Sequence, residues 1–224
     1  MTRGILIAGN ESSLYSAITA EAAKRVEFYA SALIPNRLPM RDGGLSPRTE
    51  TAGGALPVPW NPSSAISART LVLASENRLG QINNAILVCS PPSMFRGMRA
   101  LEPEEIEILV DDHIKGWFFL IRELCLYFCR TGSGSLSLIA PETSSGNRNA
   151  QADLLGPPAV SSFMSFAGSV LASSVNEPFQ VLGFSGSEGA EKADFAEWLF
   201  KIIDEGSKKY SGRWNKYSKL GFLR

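Results

Sequence analysis

The chain has 224 residues with 22 Lys and Arg against 22 Asp and Glu, and this zero net charge gives no electrostatic case for nucleic acid or an anionic membrane surface. No apolar run approaches the ~20 residues that a membrane span needs. Three cysteines do not make a disulfide framework. We therefore expect a cytoplasmic protein, folded as a single domain over residues 1–224, with neither a membrane nor a nucleic-acid partner.

Apolar runs alternate with helical patterns along the chain. The runs predict seven strands, at Gly4–Gly9, Val26–Ile34, Leu56–Trp60, Asn84–Cys89, Ser135–Ala140, Phe179–Phe184 and Gly212–Tyr217. Helical periodicity predicts helices at Ser13–Arg25, Asn61–Gly80, Glu102–Arg130, Pro157–Val175 and Lys192–Gly206. This alternation is typical of a mostly parallel sheet covered on both faces. The sequence thus predicts a three-layer, doubly wound α/β fold of the Rossmann type.

Proline, glycine and polar residues refine this outline. The prolines in Leu56–Trp60 favour an edge position or irregular pairing for that strand. The segment Pro35–Ala55 is rich in Gly, Pro and polar residues and is predicted to be a long loop. Asn61 or Ser63 is the expected N-cap of the second helix. The long helical stretch that follows the fourth strand is expected to bend near Gly116.

Several stretches resemble the short-chain dehydrogenase/reductase family in order and spacing. They are "LPVPWNPSSAISARTLVLASENRLGQINNAILVCSPP", "LEPEEIEILVDDHIKGWFFLIRELCLYF", "GSLSLIAPE" and "PFQVLGFSG". They correspond to the third and fourth strands, the long fourth helix, and the fifth and sixth strands of that family. The resemblance implies a Rossmann domain over nearly the whole chain, a nicotinamide dinucleotide cofactor, and a catalytic set of Asn, Ser, Tyr and Lys.

The family's glycine-rich phosphate loop is largely absent from this chain. It corresponds to Ala8–Tyr15, where only Gly9 is retained. We expect Ser13 and Tyr15 to place side chains, and Glu11 a negative charge, where a diphosphate would lie. One like-charge pair at ~4–6 Å costs on the order of 3–4 kcal/mol at an effective dielectric constant near 20. A helix N-terminus attracts an anion by only ~0.3–1 kcal/mol at an exposed site.

The same stretch is also what an ordinary strand-to-helix turn requires, with Asn10, Ser12 or Ser13 as the N-cap. Arg37, just after the second strand, lies where NADP-preferring relatives often carry a basic residue. Asn61 lies at the polar position after the third strand. The positions at which nucleotide binding could persist are Gly9, Asn10, Ser12, Ser13, Arg37 and Asn61.

The family's catalytic groups have no counterparts here. The loop after the fourth strand carries Pro91 and Pro92, which have no backbone N–H to donate. The active-site Asn corresponds to His113, and the catalytic Ser falls on or beside Pro141. No Tyr and no Lys occurs between Thr131 and Glu191, where the resemblance places the proton donor and the ammonium that lowers its pKa. We therefore assign no catalytic residue and keep only His113 as a vestigial candidate.

Three hypotheses for function stay open. The first is a non-catalytic homologue with a structural, regulatory or assembly role, for which no cofactor is expected. The second is a sensor of a nucleotide or small ligand that uses the Rossmann crevice. The third is a diverged oxidoreductase rebuilt around His113, in which NADP or NAD would be bound. Cys125 and Cys129 share a helix face, but two thiols without further ligands are a poor metal site, so no metal is expected.

Two helices are expected to mediate self-association. The stretch Ile114–Phe128 is apolar almost all round, so one face can pack on the sheet while the rest also needs cover. The helix containing Ser161–Ser174 has many small residues that allow another helix to approach closely. In the family that this chain resembles, the corresponding helices form the usual dimer interface. We therefore expect a homodimer, with a monomer covered by Pro35–Ala55 or by the C-terminal tail as the alternative.

Overall fold

The computed structural model describes residues 3–37, 53–95, 97–141, 153–186 and 191–217. Its sheet has seven strands in the order β3-β2-β1-β4-β5-β6-β7. In chain order the strands are β1 Ile5–Gly9, β2 Tyr29–Leu33, β3 Ala55–Pro57, β4 Asn84–Val88, β5 Ser135–Pro141, β6 Gln180–Gly186 and β7 Trp214–Tyr217. Every pairing in the sheet is parallel. The predicted doubly wound α/β fold is confirmed.

Six α-helices accompany the sheet in the described residues. They are α1 Ser13–Ala23, α2 Ala65–Leu79, α3 Pro103–Val110, α4 Gly116–Thr131, α5 Gly156–Ser173 and α6 Lys192–Glu205. Alternate side chains of β1 face opposite sides of the sheet. Leu6 and Ala8 join a core formed with α2, α4 and α5. Ile5 and Ile7 join a second core formed with α1 and α6.

The short strand β3 lies at one edge of the sheet, as its prolines predict. The predicted cap of α2 was wrong: Ser64, not Asn61 or Ser63, is the N-cap, and its Oγ accepts from the backbone N–H of Ser67 at 3.2 Å. The reason is a competing local bond. The Oδ1 of Asn61 accepts from the hydroxyl of Ser63 at 2.8 Å, which folds the chain into a turn just before the helix.

The long helical stretch is interrupted where a bend is expected. Between α3 and α4, Asp111–Lys115 form one turn of π-helix that ends next to Gly116. A Cβ on Gly116 would lie 2.4 Å from Cβ of Pro62, so only glycine lets the helix approach the loop before α2 this closely. The π turn also places Asp112 and His113 in buried positions. This break in the helix therefore shapes the candidate site.

Helix α5 with the turn that follows it, Gly156–Asn176, is long and apolar enough to cross a membrane by length and composition alone. The sequence analysis expected no such segment. Phe163, Ala167 and Leu171 of this helix are buried in the core on the α4 side of the sheet. Only 33% of its apolar window is buried, however. The helix thus belongs to the folded core and presents a broad outer face.

Candidate functional site

The candidate site is a cleft at the carboxyl edge of the sheet, where the chain leaves β1, β2 and β4. Because the strands are parallel, these three ends meet at one edge, which is where ligands bind in open α/β sheets. The cleft has a volume of about 100 Å³. Its walls come from the β1–α1 turn, the segment after β2, the loop after β4, and the end of α3 with the π turn: Asn10, Glu11, Ile34, Pro35, Asn36, Arg37, Pro92, Ile108, Asp112 and His113.

In the β1–α1 turn, the side chains of Ser12 and Tyr15 are engaged in contacts within the protein. Ser12 is the N-cap of α1, with its Oγ accepting from the backbone N–H of Tyr15 at 3.1 Å. Tyr15 is buried between α1 and the sheet, and its hydroxyl lies 2.8 Å from Oγ of Ser31. The expectation that Tyr15 projects into the phosphate position was therefore wrong, because the aromatic ring gains more by packing in the core. A Cβ on Gly9 would lie 2.9 Å from Cδ2 of Tyr15 and 2.9 Å from the carbonyl oxygen of Val88, so Gly9 admits this ring.

An ion pair between Arg37 and Asp112 crosses the cleft. Nε of Arg37 donates to Oδ2 of Asp112 at 3.1 Å, and Nη2 donates to Oδ1 in the same fork. The Asp112 side chain is 2% exposed, whereas the Arg37 side chain is 38% exposed. Burial raises the pKa of the Asp112 carboxyl, and Arg37 partly offsets that rise. The pair therefore joins the segment after β2 to the π turn, and both residues line the cleft.

Two polar atoms in the cleft wall have no hydrogen-bond partner among the described residues. They are Nδ1 of His113 and Oδ1 of Asn10. His113 is only 4% exposed, and burial lowers its pKa to about 4. The imidazole is therefore neutral at pH 7. Buried polar atoms without a partner are uncommon in native proteins, so these two distinguish the wall of the cleft.

The other predicted site residues are dispersed. Ser13 is exposed on the first turn of α1, and Ser12 is engaged as its cap. Asn61 is exposed in the turn before α2 and does not line the cleft. Most of the loop Pro35–Ala55 lies outside the described residues. The structure thus brings together Asn10, Arg37 and His113, and it adds Asp112, which sequence reasoning had not singled out.

Several features of the described residues at this cleft are unfavourable for a nicotinamide dinucleotide. Small-molecule sites typically enclose ~300–1,000 Å³, and this cleft holds about 100 Å³. Pro92 offers no backbone N–H at the loop after β4. Glu11 adds a carboxylate to the residues that line the cleft. The guanidinium of Arg37, in the segment after β2, is already paired with Asp112. Within the described ranges, no group of three or more His, Cys, Asp or Glu is placed to hold a metal ion.

Neither the protein-family models nor the curated protein sequences give a match to this chain. Solved structures do share its fold. A short-chain type dehydrogenase/reductase from Mycobacterium marinum has a TM-score of 0.75 at 13% identity, covering 96% of this chain and 92% of the other. A short chain dehydrogenase from Mycobacterium smegmatis gives 0.74 at 13% identity, covering 97% and 92%. A metagenomic short-chain oxidoreductase in complex with NADP gives 0.73 at 12% identity, covering 96% of each chain. At these identities the likeness establishes the fold alone.

Proposed function

We propose that this chain is a non-catalytic member of the short-chain dehydrogenase/reductase family with a structural, regulatory or assembly role. The observation that carries the proposal is the ion pair between Arg37 and Asp112, which engages the basic side chain after β2 among the residues that line the cleft. The fold similarity over nearly the whole chain supports the family relationship. The engaged guanidinium supports the loss of cofactor chemistry.

The available side chains support the same conclusion. The chain has no Tyr and no Lys between Thr131 and Glu191, so the family's proton donor and its ammonium partner are both missing. His113 is a poor replacement, since a pKa of about 4 leaves almost none of it protonated at pH 7. A general acid works best when its pKa lies near the working pH.

A diverged oxidoreductase is the second candidate. It is favoured by the fold shared with an oxidoreductase in complex with NADP and with an NADH-dependent reductase complexed with NAD. A cofactor in this chain would require the cleft to open at the Arg37–Asp112 pair. A small-ligand sensor is favoured instead by the unpartnered atoms of Asn10 and His113, which a ligand could satisfy.

We predict that the wild-type chain shows no saturable binding of NAD or NADP below about 1 mM and no NAD(P)H-dependent turnover of ketones, aldehydes or quinones. Calorimetric titration measures the binding, and absorbance of the reduced nicotinamide measures turnover. A dissociation constant on the order of 10 μM for either nucleotide would contradict the proposal. Turnover that is lost in a folded His113→Ala variant would establish the rebuilt oxidoreductase instead.

We further propose that the chain forms a homodimer through Ile114–Phe128 and Ser161–Ser174. Phe118 of α4 stacks on Phe166 of α5 with ring centroids 4.0 Å apart, which joins the two helices into one surface. Leu126 of α4 is 50% exposed and lies in a groove with Arg69 and Leu73 of α2. The outer positions of α5 are mostly Ser, Gly and Ala. A two-fold contact between two such faces would bury apolar area that is otherwise open to water.

The wild-type chain is therefore expected to sediment at about twice its mass of 24.2 kDa at micromolar concentration. A double variant, Ser165→Glu with Ser169→Glu, is expected to sediment as a monomer, because both exposed positions of α5 would then bury an unpaired carboxylate in the contact. The matched control is Ile66→Glu, at an 80% exposed apolar position on α2. A monomeric wild type rejects the dimer, and a double variant that stays dimeric rejects this interface.

A further inference from the structure

We propose that helix α3 of one copy of the chain binds in a groove between α2 and α4 of another copy. The inference rests on the assembly role proposed above and names the surfaces that would carry it. Each surface combines exposed apolar side chains with charge of one sign, basic in the groove and acidic on α3. Opposite charges on two exposed surfaces favour their association.

The groove lies between α2 and α4 and has a volume of about 320 Å³. Leu73 of α2 and Leu126 of α4 line it, and both are exposed. The lining has one carboxylate, that of Glu123, and three guanidinium groups, those of Arg69, Arg122 and Arg130. The groove is therefore apolar with an excess of positive charge.

Two of these arginines are available to an external carboxylate. Arg69 forms no ion pair with any residue that the structure describes. Arg122 pairs with the adjacent Glu123, but its side chain is 67% exposed, and such exposed pairs are weak. Arg130 is engaged, since its Nη2 donates to both carboxylate oxygens of Glu76 at 3.0 and 2.8 Å. We therefore expect Arg69 and Arg122 to pair with the partner copy.

The outer face of α3 is complementary to this groove. Ile106 and Val110 lie four residues apart, so they share a helix face, and each is 40% exposed. Glu104 and Glu107 are also exposed, and neither forms an ion pair within the described ranges of the chain. This helix thus presents apolar and acidic side chains to water.

The start of α3 does not depend on this outer face. The capping box is formed by Glu102 and Glu105, with Oε2 of Glu105 accepting from the backbone N–H of Glu102 at 3.1 Å. Leu109 is buried on the inner side of the helix. Ile106 and Val110 take no part in that cap, and covering them with a partner would remove apolar area from water.

The groove that α3 would fill belongs to a different copy of the chain. The elements α3, the π turn and α4 follow one another without a loop. The helical rise then separates Val110 from Leu126 by ~24 Å, so α3 does not reach the groove of its own chain. Because the contact joins two different surfaces, it is heterologous and can continue from copy to copy. A helix of 8 residues buries less area than a stable interface needs, so we expect weak association.

This contact is separate from the homodimer proposed above. The groove lies on the α2 side of α4, whereas Phe118 of α4 stacks on Phe166 of α5. The dimer is expected at micromolar concentration. The α3 contact would add mass beyond the dimer only at much higher concentration.

Sedimentation equilibrium of the wild-type chain at about 10 μM and about 500 μM tests the association. We expect the weight-average mass to be about 1.5-fold or more greater at the higher concentration. Adding NaCl to about 0.5 M should reduce this rise, because salt screens exposed charges.

Two charge-reversed chains identify the surfaces. The groove-reversed chain carries Arg69→Glu with Arg122→Glu, and the α3-reversed chain carries Glu104→Lys with Glu107→Lys. Each chain alone is expected to lose the rise in mass, because its groove and its α3 then carry the same sign of charge. An equimolar mixture is expected to regain the rise, because each groove then meets an α3 of opposite charge in the other chain.

The matched control is Asp194→Lys with Glu197→Lys on α6. These positions are exposed, have the same spacing as the α3 pair, and lie on a helix that packs in the other core. The net charge changes by the same amount, yet the rise in mass should persist. Circular dichroism establishes that each variant is folded. If a reversed chain does not fold, Arg69→Gln and Glu107→Gln replace the reversals, and each should at least halve the rise.

The inference is overturned if the wild-type mass does not rise, if either reversed chain alone keeps the rise, or if the mixture fails to regain it. An absent rise would also reject a second copy as the occupant of the groove. The test is distinct from those of the proposed function. Binding of NADP by the wild type would contradict the non-catalytic role and leave the rise in mass unaffected. The variant Ser165→Glu with Ser169→Glu, which removes the α5 contact, should still gain mass at about 500 μM.

Discussion

Replacing Arg37 with glutamine is expected to lower the free energy of unfolding by about 2 kcal/mol at pH 7. The substitution leaves the carboxylate of Asp112 buried without its partner, while the rest of the cleft is unchanged. Breaking a fully buried pair typically costs ~3–5 kcal/mol. The expected loss is smaller here, because the Arg37 side chain is 38% exposed and solvent screens the interaction. Urea denaturation, compared with the wild type, measures the difference.

Asp112→Asn is the matched control, and it is expected to change stability by less than about 1 kcal/mol. In Asp112→Asn the guanidinium of Arg37 loses its partner but can turn to water. In Arg37→Gln the carboxylate of Asp112 loses its partner and stays buried. The combined variant Arg37→Gln with Asp112→Asn should then be no less stable than Asp112→Asn alone. If Arg37→Gln is no more destabilising than Asp112→Asn, the buried carboxylate is not held by Arg37 and the closure of the cleft needs another explanation.

The loss caused by Arg37→Gln should also depend on pH. Burial already raises the pKa of Asp112 in the folded wild type, and losing Arg37 raises it further. The folded variant then takes up a proton at higher pH than the unfolded chain does. Protonation removes the uncompensated charge, so the deficit is largest at neutral pH and narrows as pH falls through the raised pKa. A deficit that stays constant from pH 7 to pH 4 would contradict this account.

The fold could be predicted from the sequence because each element carries its own local signal. The strand β4, for example, is Asn84 followed by four apolar residues in the sequence, and it is buried at all five positions in the sheet. The prolines around β3 gave its edge position for the same reason, since a missing N–H is tolerated only where no neighbour needs it. Periodicity and backbone chemistry are local properties, and parallel topology follows from their alternation.

Competition between nearby groups was harder to predict. Asn61, Ser63 and Ser64 are all good caps, and which one begins the helix depends on where the Asn61 side chain finds its own bond. The position of Tyr15 depends on a cavity between α1 and the sheet, with Ser31 placed to meet its hydroxyl. Such choices are settled by packing between elements, which no single segment of sequence contains.

The candidate site was recovered only in part. Asn10, Arg37 and His113 were identified by their positions at strand ends and in the fourth helix, and they line one cleft. The partner of Arg37 lies 75 residues away in sequence, on a π turn that helical periodicity does not reveal. The adjacency of Asp112 to His113 was the one available signal. It indicated a polar spot in an apolar helix without indicating what would face it.

The stability of the wild-type chain is expected to fall by up to about 3 kcal/mol on acidification because of His113 alone. Burial lowers its folded-state pKa to about 4, from an ordinary value near 6.5. Below pH 6.5 the imidazole of His113 is protonated in the unfolded chain, whereas in the folded chain it is protonated only near pH 4. The contribution is therefore fully present above the unfolded pKa and is lost across this window. The substitution His113→Gln should remove this contribution to the dependence of the free energy of unfolding on pH.

The measurement is direct because the chain contains one histidine. Its imidazole C–H signals give the titration of the folded protein by NMR, and denaturation at a series of pH values gives the slope in stability. The comparison must be between wild type and His113→Gln, since the raised pKa of neighbouring Asp112 contributes a slope of opposite sign to both. A folded-state midpoint near 6.5 would show that water reaches the imidazole freely. The cleft would then be open enough to admit a ligand, and both its closure and the inertness of His113 would have to be abandoned.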